Sequence, residues 1–336
     1  MAQRALSLLV AGAALLAAAP VARPFTLAAI ESDLKLSSDE RAQLEKGEVV
    51  TRTVSNATER ELAVGLAVRI QSPPAELAKQ LLDGLSLREN PDVLSRGAIS
   101  TGALQDFAGV KLQDAAAAQA YLQAKPGSAL NLSAAEIAAF QALAKQPAAS
   151  SDPKGAVESL IRQQLQARYR AYVAKGLEGI APYARSSGEA NPSGDLLAAT
   201  KASKLFAKYA PHMVQLLTDY SKARPADLQE RQQWSEYNAQ GARAIVLTQF
   251  LALPDGDGFS VAARQYYVST SYNAEQNVAL LIPADEGGTV VVLGSRVATE
   301  QVAGFGGSVK RGIGSKLMAD TLAGVAARVR KAGAKN

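Results

Sequence analysis

Residues 61–70 read ELAVGLAVRI, and this stretch decides the fold class. Its large apolar residues stand at Leu62, Val64, Leu66, Val68 and Ile70, with small or polar residues between them. A period of two places one set of side chains on one face of a β-strand. On the amino-terminal side, Asn56-Ala57-Thr58 makes a turn, and residues 48–54, EVVTRTV, read as a second strand. Ser37 with Glu40 forms a capping box that opens a short helix through Leu44, ended by Gly47. On the carboxy-terminal side, Ser72-Pro73 starts a helix to about Leu85, with proline in the first turn, where its missing N–H costs nothing. Two weak strands are expected near 96–101 and 107–112.

From Asp114 to Arg231 the pattern becomes helical. Helices are expected over 114–124, from the capping box Ser133/Glu136 to Lys145, over 153–183, and over 195–220 with a bend before Pro211. Residues 186–194 read as a loop. After Trp234 the β signal returns, with strands expected at 243–253, 258–269, 276–282 and 288–298. Pro254-Asp255-Gly256-Asp257 is a hairpin turn, and Asp285-Glu286-Gly287-Gly288 is another. A closing helix runs from about Ser308 to Lys331, with an apolar row Val309, Ile313, Leu317, Thr321, Val325 and Val329. The expectation is an α+β fold: an antiparallel curved sheet gripping a long C-terminal helix, with a helical insertion. Residues 23–113 and 232–331 form the two β-rich parts, 114–231 the insertion and 332–336 a tail.

The pieces Glu61 to Ile70, the helix start Ser72-Pro73-Pro74-Ala75-Glu76-Leu77, the strands of 243–298 and the helix 308–331 resemble in layout the START-like, helix-grip (SRPBCC-type) superfamily. The block 114–231 has no counterpart there. The resemblance implies a cavity between sheet and helix that takes apolar ligands, lipids among them, and implies no shared catalytic residue.

Arg4 precedes an uncharged run from Ala5 to Ala22, ALSLLVAGAALLAAAPVA. A positive start, an apolar centre and a small-residue end read as a secretory signal over residues 1–22, with an uncleaved membrane anchor as the alternative. The expected location is periplasmic or secreted. No cysteine occurs anywhere in the 336 residues, which excludes thiol catalysis, thiolate metal sites and a lipoprotein anchor. A mature chain of roughly 310 residues does not depend on disulfides for its core.

Catalytic signals are weak. His212 is the lone histidine, and no Gly-x-Ser-x-Gly elbow exists. Ser151-Asp152-Pro153-Lys154 matches Ser-x-x-Lys but reads as a helix cap. Asp255-Gly256-Asp257-Gly258 lacks a carboxylate at the twelfth position of a calcium loop, where Tyr266 stands. Gly304-Phe305-Gly306-Gly307 reads as a joint before the last helix, with an anion contact as the lesser reading. No catalytic residue, metal or cofactor is expected.

Residues 301–336 carry seven Lys/Arg against Asp320 alone, while the whole chain is +5. The basicity is therefore local, and Lys310, Arg311 and Lys316 are candidates for an anion or an anionic membrane surface. Nucleic acid is not expected for an exported protein. Aromatics gather at Trp234, Tyr237, Tyr266, Tyr267 and Tyr272. Alternation sends Tyr266 and Tyr267 to opposite faces, with Arg264 beside Tyr266 and Arg296 on a neighbouring strand. Trp234, Arg264, Tyr266 and Arg296 are the expected ligand-binding residues, the arginines holding a carboxylate or phosphate. The leading reading is a non-catalytic protein that binds a small apolar or lipid-like ligand. A cell-envelope interaction module acting through the helical insertion is the second, and a hydrolase of unknown type the third.

Overall fold

Two short helices, α1 (Leu27–Leu34) and α2 (Ser38–Glu45), lead into β1 (Val50–Thr53) and β2 (Glu61–Ile70) in a computed structural model that describes residues 26–220, 222, 224–239 and 241–333. The capping box forms as read: Glu40 N–H donates to Ser37 Oγ while the Glu40 carboxylate accepts from Ser37. The expected signal segment 1–22 and the last three tail residues lie outside the described residues. Next come α3 (Pro74–Leu82), α4 (Leu85–Arg88) and β3 (Val93–Ala98). Residues 107–112, expected as a strand, instead follow a single 3-10 turn at Leu104–Phe107.

The insertion holds α5 (Ala115–Leu122), α6 (Ala134–Leu143), α7 (Pro147–Ser151) and α8 (Pro153–Lys175). The long helix stops eight residues short of its expected end because Gly176 takes φ 58°, ψ −133°, a conformation no helix continues. Its cap is Asp152, which accepts from Gly155 N–H at 2.9 Å. A small hairpin, β4 (Tyr183–Ala184) with β5 (Glu189–Ala190), spans the end of the expected helix and the first half of the expected loop. The last helical stretch breaks into α9 (Pro192–Ala202), α10 (Lys204–Tyr209) and α11 (Pro211–Thr218).

Five long strands follow: β6 (Gln229–Ala239), β7 (Ala242–Asp255), β8 (Gly258–Val268), β9 (Ala274–Pro283) and β10 (Thr289–Ala298). They join the early strands in one eight-stranded antiparallel sheet of order β1-β2-β10-β9-β8-β7-β6-β3. The closing helix α12 (Gly307–Gly333) packs against it. The fold is α+β, as the sequence pattern implies.

Both faces of this sheet are covered, each by its own helical layer. On one face, Leu247, Leu251, Ala262, Val278 and Leu280 pack with Leu165, Tyr172, Leu196, Phe206 and Leu216 of the insertion. The other face joins Leu66, Val68, Ile70, Phe250, Val261, Ala279 and Val291 to α3, α4 and Val329 of α12. The insertion is thus one of the two covers, and its apolar stripes are buried on the sheet.

The helix α12 runs lengthwise along β2. Gly314 sits against Leu62 and Gly333 against Ile70. Nineteen residues of helix at ~1.5 Å and eight of strand at ~3.4 Å both span about 28 Å, so the two elements advance in step. The row Val309–Val329 does not form the packing face. Residues four apart advance about 40° around a helix, so a row of six turns through some 200°. Val325 and Val329 pack inward with Leu322 and Ala326, whereas Val309, Ile313 and Leu317 point to solvent.

Gly312 lies in the open part of α12, with no atom near the position of an added Cβ, whereas a Cβ on Gly314 meets Leu62 Cδ2 at 2.9 Å. Gly312→Ala is expected to raise unfolding free energy by roughly 0.5–1 kcal/mol in urea titrations. Gly314→Ala is expected to gain less, because the Leu62 side chain must give way.

Candidate functional site

The strand β8 carries a bulge that decides which side chains meet which helical layer. Leu247 pairs with Tyr267 and Thr248 with Gln265, so Tyr266 is the extra residue. Both tyrosines consequently face the insertion, against the expectation from simple alternation. Tyr266 stacks on Tyr172 of α8 with centroids 4.0 Å apart, and Arg168, one turn earlier on the same helix, lies 4.2 Å over the Tyr267 ring.

The four expected ligand residues are tied into that face or its edge. Arg264 is fully buried; its Nη2 donates to Leu217 O at 2.6 Å and to Gln276 Oε1 at 2.6 Å, and its Nε to the same Oε1 at 3.0 Å. Tyr266 is sealed by its stack on Tyr172. Arg296 donates to Glu61 Oε2 at 2.7 Å and to the carbonyls of Ser55 and Ala202. Burial raises the Glu61 carboxyl, with the Ala57 N–H and Arg296 working against that rise. Trp234 donates Nε1–H to Asp106 O at 2.8 Å, and its indole fills the space left by Gly97 and Gly109, where a Cβ would come within 2.5 and 2.7 Å. Arg264, Tyr266 and Arg296 hold the insertion to the sheet, and Trp234 holds the segment around Asp106 and Gly109. None of them lines the cavity on the other side.

That cavity lies between α3–α4 and α12 on the opposite face and has a volume of about 160 Å³. Strands β2, β10, β9, β8 and β7 form its floor, with the small side chains Ala263 and Ala279 near its centre. Leu81 and Leu82 form one wall; Leu322, Val325, Ala326 and Val329 form the other. Among the described residues, the polar ones in the lining are Ser86 and Asn277. On this scale, a dry void of ~150 Å³ takes up one aromatic ring.

Asn277 marks a change in the chemistry of this face. Its Nδ2 donates to Glu275 Oε1 at 2.7 Å, while its Oδ1 is buried without a partner. Ser295 stands directly across from Asn277, 1% exposed, with an unpartnered Oγ. Gln265 stands across from Glu275 and accepts from Tyr272 O–H at 2.6 Å. Thr248, across from Gln265, also has an unpartnered Oγ1. Burial raises the Glu275 carboxyl, offset in part by Asn277, and no ion pair joins it among the described residues. An apolar floor thus ends at a polar row with unused hydrogen-bonding capacity. Sequence reasoning missed this row. The alternation Glu275, Asn277, Ala279, which begins one residue before the expected strand 276–282, was the available signal.

The three basic residues singled out in α12 separate. Arg311 donates to the carbonyls of Glu59 and Val302 and so folds back on the chain. Lys310 and Lys316 are exposed. A second, polar cleft of about 570 Å³ lies between the 51–56 segment and the first half of α12, lined by Arg52, Arg311, Lys316, Ser308 and Ser315. His212 is exposed on α11 and makes no side-chain hydrogen bond among the described residues. Comparison of the chain with protein-family models, curated proteins and solved structures gives no match.

Replacing Arg264 by Met strands Leu217 O and leaves Gln276 Oε1 with Thr200 Oγ1 alone, at 3.3 Å. At about 1–3 kcal/mol for a buried acceptor left unpaired, a loss of roughly 1–3 kcal/mol is expected in urea unfolding. Glu275 gives a pH test. Its folded carboxyl is raised, so between the ordinary glutamate value of about 4.3 and the folded value the native chain holds a proton the unfolded chain has released. Stability falls as pH rises through that window. Glu275→Gln removes the fall, so the variant is expected to exceed the parent in stability at neutral pH and to match it below about pH 4.

Proposed function

We propose that this protein binds an apolar or amphiphilic, lipid-like ligand non-covalently in the cavity between the sheet and α3, α4 and α12. The observation that carries this reading is the lining: a concave, almost wholly apolar hollow with Asn277 at one end. Ligand sites commonly join such a surface to a few polar groups that fix orientation. The apolar part of the ligand rests on Ala263, Ala279, Val261 and Val291. Its polar part reaches Asn277, whose Oδ1 is an unused acceptor. The helix-grip resemblance supports the same place, because the Ser72-Pro73 helix start and the C-terminal helix supply its two walls. With residues 1–22 read as an export signal, the ligand is one met in the periplasm or outside the cell.

The arginines of the opposite face take no part in this reading; Asn277 replaces them as the orienting group. An amphiphile whose head donates a hydrogen bond suits an acceptor there better than a carboxylate does.

Solvent extraction of the purified protein followed by mass spectrometry is expected to yield a stoichiometric apolar or lipid-like molecule. Ala279→Phe fills the cavity floor and is expected to remove it, while Arg264→Lys leaves it in place. An empty parent, or a ligand retained unchanged by Ala279→Phe, contradicts the proposal.

A further inference from the structure

Among the described residues six large apolar side chains are exposed, and four of them fall within thirteen residues: Phe305 (102%), Val309 (66%), Ile313 (60%) and Leu317 (61%). Contiguous exposed apolar surface marks an interaction site more often than scattered single residues do. Phe305 projects from a turn in which Gly304 and Gly306 both take positive φ. The other three form the outward row of α12. At 100° per residue they occupy an arc of about 80°, with Lys316 some 20° outside one edge and Lys310 some 20° outside the other. Asp320, which follows the row, is the single acidic residue of 301–336.

Charge says what covers this surface. Beside the row lies the polar cleft lined by Arg52, Arg311 and Lys316, with hydroxyls from Thr51, Thr53, Ser55, Ser308 and Ser315 and no carboxylate among its lining residues. Arg52 is also paired with Glu40 at 2.7 Å and Arg311 is turned to backbone carbonyls, whereas Lys310 and Lys316 are exposed and make no ion pair among the described residues. An apolar helical stripe bordered by lysines, next to a cationic cleft rich in hydroxyl groups, matches a bilayer interface with anionic headgroups. A second copy of the same surface would set lysine against lysine.

We propose that Phe305 and the first half of α12 form a membrane-docking face that seats Val309, Ile313 and Leu317 among the lipids of an anionic bilayer, with headgroup phosphates at Lys310, Lys316 and the adjacent cleft. This inference does not require the cavity to be occupied. It does place one wall of that cavity on the docking helix, since Leu322 to Val329 continue the same element.

Flotation of the full chain with vesicles tests it. Binding is expected to phosphatidylcholine vesicles containing phosphatidylglycerol, to be much weaker to phosphatidylcholine alone, and to fall with added salt. Lys310→Ala with Lys316→Ala is expected to weaken partitioning roughly 30-fold, at about one kcal/mol per cation near the surface. Ile313→Glu is expected to abolish the preference for anionic vesicles without loss of thermal stability, because the side chain is exposed. Because every variant keeps residues 1–25, any contribution from that apolar segment is common to all. Equal binding by parent and variants, or equal binding to neutral and anionic vesicles, overturns the proposal. So does a parent that is dimeric by light scattering and becomes monomeric with Ile313→Glu.

Discussion

Every feature of this protein follows from the need to cover both faces of one eight-stranded antiparallel sheet. An antiparallel sheet can leave one face to water when its strands alternate apolar and polar residues. Here the central strands bury side chains on both sides: Phe250 and Leu251, Val261 and Ala262, Ala279 and Leu280 are all inaccessible. Two helical layers are therefore required. The insertion supplies one, and α3, α4 and α12 supply the other.

The two interfaces differ in how completely they are filled. Against the insertion, polar and aromatic side chains lock together. Arg264, Gln276 and Thr200 share hydrogen bonds, Tyr172 donates to Gln249, and Tyr172 is stacked between Tyr220 and Tyr266. Such a network fixes one arrangement of helices on strands, because each unpaired member in a low dielectric is costly. Against α12 the contact is made by small and aliphatic residues, and α3–α4 and α12 stand apart above Ala263 and Ala279. The void left there is apolar at its centre and polar at Asn277. Rigidity on one side and a hollow on the other suit a binding protein whose ligand site must not collapse.

Much of the architecture was legible in the residues. The alternation of 61–70 matches β2 at both ends, both capping boxes form, and the late hairpins fall close to their expected positions. The strand β6 escaped because QERQQWSEYNA shows no apolar alternation, although Gln232, Gln233, Ser235 and Glu236 are all buried. Site residues were harder to read. Arg264 and Tyr266 were recognised as unusual, and they are, but as parts of the lock rather than of the hollow. A one-residue bulge, invisible in sequence, turned Tyr267 to the same side. The apolar row of α12 misled for a geometric reason: spacing by four winds around a helix, so half of the row that reads as core is surface.

The central claim is that the hollow on the α12 face, and not the locked face, takes the ligand. Methyl chemical-shift mapping during titration with a short-chain alcohol reads this directly. The account predicts that resonances of Val261, Ala263, Ala279, Val291, Leu322 and Ala326 move together and saturate, while those of Leu196, Leu216 and Leu247 stay fixed. Shifts confined to the second group, or none in the first, would contradict it.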